Sequence, residues 1–111
     1  MLKMIIKMND DKINTEKNYR LDRIYHTLEQ TFLTFGLIRM EDSSGFLVYR
    51  DCGRAKDFGI FGKIVNALKK QRWFMDNVLI WQFCDSDDSD EPDQFNEEDL
   101  LKHYTTKQMG A

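Results

Sequence analysis

The strongest chemical signal in this 111-residue chain is a run of carboxylates near its C-terminal end. Between positions 85 and 99 there are nine Asp or Glu residues and no Lys or Arg. Like charges this close together repel one another unless a cation or a basic partner is present. We therefore predict that the protein binds another protein with a basic surface through six of these acids. They are Asp85, Asp87, Asp88, Asp90, Glu91 and Asp93.

The same acids admit two other interpretations. One is a solvated loop, in which the last three carboxylates, at 97–99, begin a helix. The other is a calcium loop counted from Asp85. In that loop Asp90 stands where the sharp turn requires glycine, and Asn96 stands where a bidentate glutamate is required. We therefore predict no metal and no cofactor.

A second set of charged side chains has the opposite sign. Lys56, Lys63 and Lys70 are seven residues apart, so in a helix they share one stripe. Such a stripe can contact nucleic-acid phosphates. It gives an alternative function, a nucleic-acid-binding module in which the acidic segment competes for the same cations. The predicted set is Arg54, Lys56, Lys63, Lys69, Lys70 and Arg72.

Candidates for catalysis are few. Cys52 follows a predicted strand, and His26 and His103 are the two histidines. No local signature joins the cysteine to either histidine, and solvated histidines and small apolar cysteines are ordinary. We therefore expect a protein that is not an enzyme.

The composition is that of one folded domain, spanning 1–111. The chain is 41% hydrophobic and 13% aromatic and has one proline, which argues against disorder. Its two cysteines form no CxxC pair and are expected to be reduced. Lysines interrupt residues 1–8, which are too short for a signal peptide or a membrane span. These features predict a cytoplasmic protein without membrane contact.

The net charge of −3 conceals a split along the chain. Residues 1–84 hold 14 Lys and Arg against 10 Asp and Glu, whereas residues 85–111 hold 2 against 9. The sequence therefore combines a mildly basic body with an acidic C-terminal part, and such asymmetry bears on partners rather than on fold.

Hydrophobic spacing indicates the elements that carry these groups. Apolar residues at steps of three and four predict a helix from Thr15 to Gly36. Two short runs, 37–41 and 46–51, predict a β-hairpin. A second helix is predicted from Ala55 to about Arg72.

The C-terminal half contains the most apolar segment. Residues 78–84 (VLIWQFC) predict a buried strand at the centre of the sheet. The acidic connection 85–95 follows, and Asn96 is predicted to cap a final short helix. Residues 1–12 are predicted to be either a short edge strand or a disordered segment.

Together these elements predict a small α+β domain of order (β)αββαβα. The expected sheet has three or four mainly antiparallel strands, packed by two helices and a short C-terminal helix. Trp81 and Phe83 are predicted to be core residues and Trp73 to be partly exposed. The second face of the 78–84 strand is too apolar to face water entirely. We expect the last helix, the N-terminal segment or another copy of the chain, in a homodimer, to cover it.

Overall fold

The computed structural model describes residues 2–40, 45–86 and 95–109 as a small α+β domain with a five-stranded antiparallel sheet. The elements in chain order are β1 (Leu2–Met8), α1 (Asp10–Glu16), α2 (Leu21–Thr34), β2 (Ile38–Met40), β3 (Leu47–Arg50), α3 (Asp57–Leu68), α4 (Arg72–Met75), β4 (Val78–Ser86), β5 (Phe95–Asp99) and α5 (Leu100–Met109). The fold class is confirmed, and the sheet has one strand more than the maximum we expected.

The N-terminal segment is the central strand of this sheet. The strand order is β2-β3-β1-β4-β5, so β1 pairs with β3 on one side and with β4 on the other. Residues 2–8 are therefore neither an edge strand nor frayed, and β4 lies one place from the centre. Met4, Ile6 and Met8 face the core while the intervening residues face the other way.

The first four strands and their connecting helices form two interlocked β-α-β units. β2 and β4 lie outside the central pair β3-β1, and every neighbouring pair is antiparallel. This is the split β-α-β arrangement, here extended by β5 at one edge. The predicted hairpin is confirmed as β2 and β3, and its turn at 41–44 lies outside the described residues.

All the described helices that contact the sheet through aromatic rings do so on one face. The ring of Phe32 in α2 stacks on Tyr49 at 4.1 Å between centroids. In α4, Phe74 packs edge-on against Trp81 at 4.9 Å, and Tyr104 of α5 stacks on the same indole. Trp81 is fully buried, as predicted.

The predicted first helix begins later than expected, at Leu21, and a separate short helix, α1, precedes it. Lys17 has a left-handed backbone (φ 55°), and its N–H donates to the carbonyl of Ile13, which ends α1. Asn9 caps α1, because its side chain accepts a hydrogen bond from the N–H of Lys12. The C-terminal end of α2 is as predicted, with Gly36 at φ 79°.

The final helix begins later than predicted. Residues 95–99 form β5, and α5 starts at Leu100. The cap is Asp99, whose carboxylate accepts a hydrogen bond from the N–H of Lys102 at 3.0 Å. Asn96 was therefore the wrong cap, since it pairs with Asp85 in the sheet.

The opposite face of the sheet is open. A depression of about 420 Å³ on this face is lined by residues of the strands and by Phe46, with no helical residue. Ile5, Ile80 and Gln82 lie in it half-buried. Neither α5 nor the N-terminal segment covers this part of β4, because α5 packs on the other face and β1 lies beside β4 in the sheet.

Strict alternation along residues 78–84 predicts Leu79 on the face of Trp81 and Val78 on the opposite face, and the structure differs at this end of β4. The β1–β4 register shifts between Lys7 and Met8, where a bulge interrupts the pairing. As a result Leu79 is 49% exposed, whereas Val78 is buried.

Candidate binding surfaces

The acidic segment joins β4 to the edge strand β5. In the β4–β5 pair Asp85 lies opposite Asn96, and the last pair is Ser86 with Phe95. Residues 87–94 connect these paired ends and lie outside the described residues. Five of the six predicted contact residues therefore lie outside them, and they are Asp87, Asp88, Asp90, Glu91 and Asp93.

Asp85 is the member of the predicted set that the structure describes. It is half-buried at the end of β4, opposite Leu2 in the β1–β4 pair. Within the described ranges, no ion pair includes Asp85. Of the three acids at 97–99 that were expected to start a helix, Glu97 and Glu98 belong to β5, and Asp99 ends β5 and caps α5.

Arg54, a member of the predicted nucleic-acid set, makes its observed polar contacts within the chain. Its guanidinium lies 2.8 Å from the buried carboxylate of Asp57 and donates a hydrogen bond of 2.9 Å to the carbonyl of Phe35. It also lies against Gly36, where an added Cβ would be 3.0 Å from Nη1. Arg54 thus ties the end of α2 to the start of α3.

Asp57 is the centre of this small network. Its Oδ2 accepts hydrogen bonds from the backbone N–H groups of Cys52 and Arg54, at 2.7 and 3.3 Å. Burial acts to raise the pKa of Asp57, but these hydrogen bonds and the Arg54 charge lower the pKa below its usual value. Asp57 is therefore held as a carboxylate that fixes the loop before α3.

Two more cations of the predicted set are engaged within the chain. The ammonium of Lys69 lies 5.3 Å from the ring centroid of Tyr104, as a cation–π contact. Arg72 lies 3.9 Å from Asp76 one helical turn away, and this pair is exposed and weak.

The lysine stripe itself is present. Lys56, Lys63 and Lys70 are exposed, at the start, in the middle and just past the end of α3. The buried residues of α3 include Ile60 and Ile64, on the other side of the helix. Of the six predicted nucleic-acid contacts, these three are the ones that face solvent and make no ion pair within the described ranges.

The Cys52 thiol has a carbonyl partner. It donates to the carbonyl oxygen of Gly36 at 2.7 Å, and this contact is on the exposed side of the α2–β2 junction. Among the described residues, the ring of His103 contacts Tyr104, edge to face at 4.9 Å. Within the ranges that the structure describes, Cys52 makes no hydrogen bond to a histidine.

His26 lies in a polar hollow that the sequence indicated only in part. Asp22 and Glu29 are within one helical turn of His26 in the sequence, and the structure brings Asp10 and Arg39 from other elements to the same hollow. Arg39 pairs with Glu29 at 3.0 Å. Tyr25, which also lines the hollow, donates to Asp10 at 2.5 Å, and its pKa is raised by burial and by this carboxylate. Distant strand and helix residues create this cluster, so local spacing could not reveal it.

The fold and these surfaces define a small α+β domain with one helix-covered sheet face and one open face. Searches against protein-family models, curated proteins and solved structures found no match to this chain. Across the described ranges, every helix is too short or too polar to cross a lipid bilayer. The surfaces themselves are therefore the basis for a functional proposal.

Proposed function

We propose that this protein is a small accessory or regulatory protein that acts by binding another macromolecule and not by catalysis. Its contact surface is the acidic segment, and its partner is a protein with a basic surface. Two observations support this proposal. The segment is held at both ends by the β4–β5 pairing, and Asp85 has no ion pair in the described part of the chain.

Charge neutralisation in the segment tests the proposal. The variant D87N/D88N/D90N/E91Q removes four negative charges, and D11N/E16Q/D22N/D76N removes four from exposed positions elsewhere. We expect tagged wild-type protein to capture partners from a lysate of its host at low salt, as identified by mass spectrometry. The segment variant should lose those partners and the control variant should retain them. Equal capture by both variants contradicts the proposal.

The second candidate function is nucleic-acid binding through the lysine stripe. The exposure of Lys56, Lys63 and Lys70 supports it. A gel-shift experiment at low salt should show retardation by wild-type protein and a stronger shift when residues 85–95 are deleted. K56Q/K63Q/K70Q should abolish the shift, whereas K7Q/K12Q/K17Q, with the same charge change, should not. No retardation, even after the deletion, rejects this candidate.

We further propose that the protein works in the cytoplasm. Cys52 and Cys84 are not joined by a disulfide, and Cys52 is exposed, which suits a reducing compartment. Fractionation of host cells followed by immunodetection should recover the chain with cytoplasmic markers, and recovery in a secreted or periplasmic fraction contradicts this assignment.

A further inference from the structure

A pocket of about 380 Å³ lies between the start of α2 and α4, away from the acidic segment and the lysine stripe. Its volume is within the range of small-ligand sites. The pocket is lined by Asn18, Tyr19, Arg20, Arg23, Ile24, Thr27 and Trp73. It therefore combines two aromatic rings, two arginines and no carboxylate.

The aromatic side of the pocket is held in place but accessible. The indole N–H of Trp73 donates to Gln71 Oε1 at 3.1 Å, and the indole packs edge-on against Phe74. Trp73 remains half-exposed, as predicted, and Tyr19 is 42% exposed. Ile24 is buried beneath them. Such a surface suits a flat ring, because every nucleobase has a π-face that stacks on aromatic side chains.

The charged side of the pocket is positive. Arg20 pairs with Asp22 at 3.4 Å, and both side chains are largely exposed. Arg23 makes no ion pair among the described residues. The N-cap of α2 is Arg20, which makes no capping hydrogen bond, so the positive end of the helix dipole adds to these charges. Together these groups favour the binding of an anion, because the Asp22 carboxylate offsets only part of their positive charge.

We infer that this pocket binds a nucleotide unit, with the base on Trp73 and Tyr19 and the phosphate on Arg20 and Arg23. Asn18 and Thr27 supply hydrogen-bonding groups at the same pocket. The unit is either a free mononucleotide or one residue of a single strand. This inference does not depend on the acidic segment, and it assigns nucleotide recognition to a surface other than the α3 stripe.

Tryptophan fluorescence gives a direct test, because Trp81 is buried and Trp73 is accessible. Thymidine monophosphate and a 15-nucleotide oligo(dT) are titrated separately into the full chain at low salt. We expect quenching by at least one of them, and the tighter of the two identifies the source of the nucleotide.

Variants then locate the site. Y19L should weaken binding about tenfold through the loss of one stacking surface. For the oligonucleotide, R20Q/R23Q should lower the salt dependence of log K by about 1.4, the value for two single-strand phosphate contacts. The stripe variant K56Q/K63Q, with the same charge change, should leave binding unchanged.

Three results overturn the inference. One is the absence of quenching by both ligands. Another is a loss of binding in K56Q/K63Q with none in R20Q/R23Q, which moves the contact to α3. The last is quenching by an acidic peptide, such as oligo(Glu), when neither nucleotide ligand quenches, which identifies the pocket as a protein-binding site.

Discussion

The hydroxyl group of Tyr49 is buried without a hydrogen-bond partner in the described structure. Burial raises the pKa of Tyr49 to about 12, with smaller opposing effects of Arg39 and Glu29. Since the folded pKa exceeds that of the unfolded chain, about 10, ionisation of Tyr49 favours the unfolded chain. The ionisation therefore has no effect on the free energy of unfolding below pH 10 and lowers it as the pH rises towards 12.

Replacing Tyr49 with phenylalanine should therefore stabilise the fold. Y49F keeps the ring stack on Phe32 and removes an unsatisfied donor, so we expect the free energy of unfolding at pH 7 to rise by about 1 kcal/mol. In Y25F a hydroxyl that donates to Asp10 is lost, and the free energy should fall by a similar amount. Urea unfolding at pH 7 and between pH 10 and 12 measures both effects. A destabilised Y49F would show that the hydroxyl has a partner.

At the same scale, sequence reasoning identified some residues and missed others for a physical reason. The role of Gly36 in ending α2 could be predicted, because glycine commonly follows the last residue of a helix. The hydrogen bonds from Gly36 N to Leu33 O and from Leu37 N to Phe32 O are those of such a helix end. The contact of Arg54 with the end of α2 could not be predicted from the sequence. Its partner carbonyl on Phe35 is brought near only by tertiary folding.

At the scale of elements, α3 contains two glycines that its own packing does not require. Gly59 lies in the first turn of α3 and Gly62 in its interior, and an added Cβ would meet nothing within 4 Å at either position. Glycine in a helix interior is less stable than alanine by roughly 0.5 to 1 kcal/mol.

Alanine at these two positions should therefore stabilise the domain. We expect G59A and G62A each to raise the free energy of unfolding by about 0.5 to 1 kcal/mol, measured by urea titration. G36A is the matched contrast, because Gly36 has φ 79° and its added Cβ would lie 3.0 Å from the Arg54 guanidinium. It should destabilise the fold by at least about 1 kcal/mol. Destabilisation by G62A would mean that something packs closely on that side of α3.

Elements with strong local patterns were predicted, and those defined by distant pairing were not. The predicted strand at 78–84 and the predicted second helix are present as β4 and α3. β1 was predicted only as one of two alternatives, a short edge strand or a disordered segment, because Ile5 on the open face obscures the alternation of Met4 and Ile6 against the lysines. β5 was missed because the acids at 97–99 suit a helix start locally, while pairing with β4 decides their conformation.

At the scale of the molecule, helices cover one face of the sheet and leave the other open, so neighbouring residues of one strand differ in burial. Ile6 is fully buried beneath the helices, whereas Ile5 faces the open side. Of the predicted functional surfaces, the lysine stripe could be derived from helical spacing. The nucleotide pocket could not, since it joins residues of the α1–α2 connection to Trp73 in α4.

Alanine substitutions at Ile5 and Ile6 test this arrangement. I6A should lower the free energy of unfolding by about 2 to 5 kcal/mol through the cavity it leaves, and I5A by about 1 kcal/mol or less. Urea unfolding at low protein concentration compares the two directly. Equal losses would show that a second layer covers the open face.

The central position of β1 also constrains how the chain reaches its final form during translation. Of the five strands β1 is synthesised first, yet its hydrogen-bonding partners are β3 and, much later, β4. Until β4 emerges, one edge of β1 has no partner, and its apolar side chains lack part of their final cover. Both edges of β1 are therefore paired only once β4 (Val78–Ser86) has been synthesised, and β5 joins the sheet later still. Closure of the domain is thus a late event governed by long-range contacts.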